Sequence, residues 1–328
     1  MQRSSWQRCR FNWCSSIRRI RIWRRILYES LLSVLEKHGI QYACDFPLKR
    51  IASFKIGGPA DVLVLPEREE DLSIILNTCQ NAGIRYTILG NATNLLISDQ
   101  GIRGVVIRIG KQYGEITYCG NGVIKCQAGA SLTAVCNFAL KHGLTGLEFA
   151  FGIPGTAGGA AFMNAGAYGG EMQDVLMSCT HICPNGSLGV FQKSELQLGY
   201  RTSVYAKSKE PYIISSLTLQ LQEGNPKEIK AKMEDLIGRR RAKQPLEFPS
   251  AGSTFKRPTG YFAGALIEEC GLKGYSVGDA QVSEKHAGFV INRGQATAKD
   301  VLQLISDVQE IVQKQKGVRL ETEIKLMD

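Results

Sequence analysis

Residues 151–171 (FGIPGTAGGAAFMNAGAYGGE) hold seven glycines among small neighbours, and this run limits what the chain can be. No internal repeat accounts for it. A backbone so thinly covered can lie flat against a ligand. A structureless loop longer than ~12–15 residues is uncommon in a compact domain unless it serves function, so the run reads as a ligand-contacting loop. A second small-residue turn, LGNATNLL (Leu89–Leu96), directly follows the strand-like Tyr86–Leu89. Gly90 allows a sharp turn. Asn91, Thr93 and Asn94 place short polar side chains beside exposed backbone N–H groups, which suits a pyrophosphate and equally an ordinary turn.

Hydrophobic periodicity supplies the frame around these runs. The chain has 328 residues, enough for two or three domains of ~100–150 residues. Leu27–His38 reads as the first helix, with Leu31, Leu32 and Leu35 on one face and Gly39 as its stop. Asp61–Leu65 (DVLVL) is a strand, Pro66 opens an acid-led helix ending near Gly83, and Tyr86–Leu89 completes a β-α-β unit. Strand signals follow at Val105–Ile109 and Val123–Gln127, and Ser131 caps the next helix. Further strands run to about Leu221. Lys227–Lys243 is helical with a stripe of Ile229, Met233, Leu236 and Ile237, and a short helix lies around Phe262–Glu269. Thr297 caps Lys299–Gln315, whose core side is Val301, Leu302, Ile305, Val308 and Val312. The terminal GVRLETEIKLM alternates apolar and charged residues, which predicts a strand over 317–327 with Glu321 and Glu323 on its polar face. This mixture predicts an α+β fold with at least two lobes.

Charge narrows the partners. The formal +10 comes mostly from residues 1–25, which carry eight Arg and no acid, and the remainder holds 32 basic and 30 acidic residues. No nucleic-acid partner is therefore expected of the body. Residues 1–26 also contain all three Trp, and read as a disordered leader or an early start; a salt-sensitive RNA or membrane-surface role for them is the competing reading. No stretch approaches the roughly 20 apolar residues of a membrane span. The ten Cys form no C-x-x-C, and read as reduced, buried thiols of a cytosolic protein, with no metal site expected. A P-loop, G-x-G-x-x-G and H-E-x-x-H are all absent.

Six blocks in fixed order make the pattern specific: LGNATNLL, GLEFAFGIPGTAGGAAFMNAGAYGGE, LGYRTS, RRAKQP, SAGSTFKRP and LETEI. From about Phe46 to Met327 the chain resembles the UDP-N-acetylenolpyruvoylglucosamine reductases (MurB). The short stretch between Pro258 and Lys273 resembles their type II form. The resemblance implies a two-subdomain FAD-binding fold of the vanillyl-alcohol-oxidase (PCMH) type plus a smaller α+β substrate-binding lobe. Its expected divisions are 27–115, 116–226 and 227–328, with strand 317–327 reaching the active site.

The resemblance further implies a cytoplasmic, monomeric peptidoglycan-precursor enzyme that binds FAD, uses NADPH and acts on a UDP-sugar. Gly90, Asn91, Ala92, Thr93 and Asn94, together with Gly152, Ile153, Pro154, Gly155, Gly158, Gly159, Asn164, Gly166 and Ala167, would hold FAD. Arg201 would take the enolpyruvyl carboxylate through its planar fork. Ser253 would donate the proton and Glu323 would stabilise the enolate, a choice over Glu321 that the resemblance makes and spacing does not. Tyr200, Lys243 and Lys273 would bind substrate. Arg257 and His286 stand where the longer form has amide residues, so no role transfers to them. An oxygen-using alcohol oxidase of the same fold is the competing enzyme reading.

Overall fold

The structure is a computed structural model and describes residues 28–328. The Arg/Trp-rich leader lies outside the described residues. Residues 28–37 are helical and bury Leu31 and Leu35, as their spacing predicts.

The first lobe is built on a four-stranded sheet. Gln41–Pro47 pairs antiparallel with Pro59–Leu65, which lies parallel to Ile102–Arg108, itself parallel to Tyr86–Leu89. Val62, Leu63 and Val64 are all buried, because this central strand is covered on both faces. The crossover helix Glu69–Asn81 starts three residues after Pro66, where the Asp71 carboxylate accepts the backbone N–H groups of Glu67 and Arg68. Leu89 registers with Arg108, so the turn Gly90–Asn94 leaves from the carboxyl end of two parallel strands. Open α/β sheets bind ligands at that end.

The second lobe is an antiparallel five-stranded sheet in the order Leu188–Gln192, Leu176–Ile182, Ile213–Gln220, Val123–Gln127, Ile116–Gly120. Ser131 caps the helix Leu132–Lys141, its hydroxyl accepting the Ala134 N–H at 3.1 Å. One buried apolar cluster runs through both lobes, from Val62 and Ile107 to Leu217 and Leu219. It also takes in Ile229 and Met233 of the helix Pro226–Lys243. That helix, expected in the C-terminal lobe, thus packs on the core of the first two.

The third lobe has its own core around the antiparallel sheet Ser250–Ser253, Phe289–Asn292, Ala280–Val282, Ser276–Val277 and the helices Ala263–Glu269 and Ala298–Lys316. The capping box of Thr297 and Asp300 forms as expected. Leu302 is exposed, however, and Leu304 fills the core position next to Ile305.

The terminal run departs from expectation. Only Lys325–Met327 is a strand, pairing parallel with Leu95–Ile97, and the rest of the predicted strand 317–327 makes one isolated antiparallel bridge, Thr322 with Phe255. Its alternation partly persists as packing, since Leu320 and Ile324 are buried, yet Leu326 is exposed. The 151–171 run is likewise not structureless. It contains the helix Ala157–Met163 and the hairpin of Gly166–Ala167 with Gly170–Glu171.

Among the cysteines of the described residues, Cys79, Cys126, Cys136 and Cys179 are buried thiols. No group of three metal-ligating side chains occurs among the described residues, and no described helix is long and apolar enough to cross a membrane.

Candidate active site

The two small-residue segments meet. A Cβ on Gly90 would lie 2.6 Å from Thr156 Oγ1, so only glycine allows the turn to seat on the cap of the helix Ala157–Met163. Thr156 caps that helix through the Gly159 N–H at 3.2 Å. Asn91 Nδ2 donates to the Pro154 carbonyl at 3.3 Å, and Ala92 takes a left-handed backbone with φ +50°. Gly158 lies against Ala128, whose carbonyl accepts its N–H at 2.8 Å, while Gly159 faces outward. Ile153 and Gly155 lie in the same connection, their backbones tied to Ala150 and Leu132. Gly152 takes φ +87° beneath Ile237 and Arg240. Asn164 is fully buried. Its amide nitrogen donates to Glu171 and to the Gly199 carbonyl, and its oxygen accepts the Gln173 N–H. This residue therefore braces the segment before Arg201, with its side chain fully engaged by protein.

Arg201 and Glu323, 122 residues apart in sequence, form an ion pair with Nε 2.7 Å from Oε1. Arg201 sits at φ +54°, an uncommon conformation for a bulky residue. Its Nη2 donates to the Gly166 carbonyl at 3.2 Å, while Nη1 has no acceptor among the described residues. Ala167, next along, pairs with Gly170 in the hairpin. Glu323 is held from both lobes: its N–H donates to the Thr254 carbonyl at 2.8 Å, and its own carbonyl accepts from Asn94 Nδ2 at 3.2 Å. Burial raises the Glu323 pKa above the ordinary carboxylate value, against the lowering effect of Arg201. Glu321 instead points to solvent and pairs with Lys256 at 3.1 Å. The expectation that both carboxylates share one environment does not hold, because the chain around them is no regular strand. Ser253, adjacent to Thr254, ends the strand Ser250–Ser253 and is exposed. The structure thus brings Arg201, Glu323 and the Ser253–Thr254 segment together.

Of the predicted substrate residues, Tyr200 adjoins Arg201. The Tyr200 hydroxyl accepts the Arg257 N–H at 3.1 Å, and the Tyr200 ring carries the Arg201 guanidinium 5.2 Å from its centroid. Lys273 pairs with Glu268 at 2.5 Å. Lys243 and Lys273 both act on His286, whose pKa is lowered first by burial and then by these ammonium groups. Both therefore lie near His286, Lys243 at the end of the helix Pro226–Lys243 and Lys273 in the third lobe.

Two basic residues escape the sequence reading. Arg240 is buried, stacks its guanidinium 5.6 Å from the centre of the Tyr168 ring beside Gly152, and leaves Nε without a partner. Arg108, in register with Leu89 just before the Gly90 turn, likewise has a buried Nε without a partner. Burial lowers the pKa of both. Arg240 Nη1 donates to Gln244 Oε1 at 3.2 Å, but a buried guanidinium N–H left without an acceptor is costly, so the two Nε groups suit a ligand carrying negative charge and carbonyl oxygens. FAD has both, and these residues fit it.

The family model described as FAD binding domain matches residues 60–191. That described as UDP-N-acetylenolpyruvoylglucosamine reductase, C-terminal domain, matches residues 244–327. The UDP-N-acetylenolpyruvoylglucosamine reductase of Clostridium novyi (strain NT) is 49% identical over 302 residues, covering 91% of this chain and 95% of its own. The chain belongs to the UDP-N-acetylenolpyruvoylglucosamine reductase family. A second reductase of that name, from Caldanaerobacter subterraneus subsp. tengcongensis, is 49% identical over 92% of this chain and 98% of its own. Among solved structures, UDP-N-acetylenolpyruvylglucosamine reductase (MurB) from Thermus caldophilus is 36% identical with a TM-score of 0.73, covering 88% of this chain and 99% of that one. The expected α+β fold with an FAD-binding domain is the fold observed, and the chain is an FAD-containing oxidoreductase of the reductase family.

Proposed function

We propose that Arg201, Ser253 and Glu323 carry the catalytic step of an NADPH-dependent reduction of UDP-N-acetylglucosamine enolpyruvate to UDP-N-acetylmuramate. The Arg201–Glu323 pair carries this reading, because it joins the Gly-rich lobe to the segment holding Ser253. When bound, FAD would supply the redox chemistry, relaying a hydride equivalent from NADPH to C3 of the enolpyruvyl group. The turn Gly90–Asn94 and the segment from Gly152 to Ala167 hold it, with Asn164 as a brace and with Arg108 and Arg240 as charge partners. Arg201 offers its free guanidinium edge to the substrate carboxylate, where negative charge grows as hydride arrives. Glu323, whose pKa burial raises against the lowering effect of Arg201, helps polarise or stabilise that enolate. The Ser253 hydroxyl delivers the proton to C2. Tyr200, Lys243 and Lys273 bind the substrate, the two ammonium groups facing its diphosphate.

In this reading 27–115 and 116–226 are the FAD-binding subdomains, 227–328 is the substrate lobe, and the enzyme is a cytoplasmic monomer. The test separates the half-reactions. NADPH should bleach the flavin band near ~450 nm anaerobically, and UDP-N-acetylglucosamine enolpyruvate should restore it. A flavin that NADPH leaves oxidised, or that only oxygen reoxidises, would favour the alcohol-oxidase reading instead.

A further inference from the structure

Lys325 is a charge without a counterion. Its ammonium lies 4.3 Å from the centre of the Phe162 ring, and among the described residues no carboxylate pairs with it. The side chain is half-buried, and its pKa is lowered first by burial and then by nearby Lys256. Its backbone is fixed on the first of the two small-residue segments. The Lys325 N–H donates to the Asn94 carbonyl at 3.0 Å, and Lys325 registers with Leu95 in the parallel pair. Phe162 belongs to the helix Ala157–Met163, on the other small-residue segment.

The ammonium is therefore pinned between the two chain segments that the proposed function assigns to FAD. A cation–π contact contributes roughly 0.5–2 kcal/mol, whereas leaving a partly buried charge next to a like charge works against it. Arg201 has Glu323 and Lys256 has Glu321, but Lys325 has only the ring.

We infer that Lys325 is a cofactor-binding residue, a further cation, beside Arg108 and Arg240, that this site holds against the negative charge of FAD. The inference rests on the flavin reading above. The shared chemistry is an ammonium facing an anion, and the anion is either the diphosphate or the reduced isoalloxazine ring.

The experiment measures FAD affinity in both redox states, using the apoprotein of the full chain, for wild type, Lys325→Met, Lys325→Gln and Lys325→Arg. Lys325→Gln keeps a long side chain on Phe162 and so separates charge from packing; melting temperature and circular dichroism of each apoprotein check the fold. Loss of the charge should weaken FAD binding about tenfold in Met and Gln, with Arg near wild type, as expected of a hydrogen bond or ion pair to a charged group. An equal loss for oxidised and reduced FAD identifies the diphosphate as partner. A tenfold larger loss for reduced FAD identifies the ring, and moves the two-electron potential down by ~30 mV. Folded Met and Gln variants that bind both forms as tightly as wild type overturn the inference. A wild-type chain that takes up no FAD overturns the flavin reading itself, and this inference with it.

Discussion

At the residue scale, the proposed mechanism gives three groups of different chemistry to one substrate fragment, and each should fail differently. Ser253 is exposed at a strand end, and its hydroxyl is a poor acid unless neighbours assist it. Ser253→Ala should leave flavin reduction by NADPH unchanged and slow reoxidation by substrate ~10²–10⁴-fold, the usual range for a lost general acid. Rapid-mixing absorbance on each half-reaction checks this, and wild-type reoxidation would remove Ser253 from the mechanism. Arg201→Lys keeps a positive charge but loses the planar fork that now spans the Glu323 carboxylate and the Gly166 carbonyl. It should slow the same half-reaction ~10²–10³-fold, as removal of one oriented donor does. Sequence motifs pointed to all three residues through the resemblance, and spacing alone could not separate Glu323 from Glu321. The separation became visible only in the fold, where Thr254 and Asn94 clamp the Glu323 backbone and Glu321 faces water.

At the scale of elements, the helix Ala157–Met163 decides whether the two small-residue segments can meet. A Cβ on Gly158 would lie 2.7 Å from the Ala128 Cβ, and that neighbour is fixed in the second lobe. Gly158→Ala should therefore destabilise the protein by about 1–3 kcal/mol through overpacking, read as a lower urea midpoint. Gly159 is outward, and the nearest atom to an added Cβ is Thr156 Oγ1 at 3.3 Å. Gly159→Ala should keep the apoprotein's midpoint and weaken FAD binding, so the pair distinguishes a structural glycine from a ligand-facing one. The sequence did not show this helix because it has almost no apolar periodicity, and glycine disfavours helix by ~1 kcal/mol per residue. Its cap and its packing against Ala128 and Ala130 form it instead. The terminal run fails in the opposite way. Its alternation is clear, but Leu320 and Ile324 turn inward to pack in the third lobe and no neighbouring strand ladders with most of it. Arg240 did leave a signal. It continues the buried stripe Ile229, Met233, Leu236 of its helix at helical spacing, and an arginine on an apolar stripe needs a ligand or an acid to explain it.

At the scale of the whole molecule, two histidines in different lobes, His181 buried and His286 half-buried, tie stability to pH. His181, in the five-stranded sheet, has its Nδ1 3.0 Å from the Tyr205 hydroxyl and is packed between Phe191 and Tyr212. His286 lies in the third lobe beside Lys243 and Lys273. Burial lowers both below the ordinary value of 6.5. The unfolded chain therefore binds more protons than the native one between the lowered values and 6.5. Stability is full above that range and falls as pH drops through it, by up to about 1.4 kcal/mol per pH unit for each histidine. Glu323 acts with the opposite sign, because its raised pKa lets the native state take a proton first above 4.5. Urea midpoints between pH 5 and 8 should thus fall on the acid side of 6.5, with Glu323 partly offsetting the loss at the lowest pH. Bound UDP makes the two histidines distinguishable. A diphosphate on Lys243 and Lys273 offsets the cations that depress His286, so its pKa rises and its share of the pH slope shrinks. His181, in another lobe, keeps its share. Saturating UDP should accordingly flatten the midpoint-against-pH curve by part of one histidine's contribution, burial keeping the rest, and bind with net proton uptake near pH 6. An unchanged slope with tightly bound UDP would move the diphosphate away from Lys243 and Lys273.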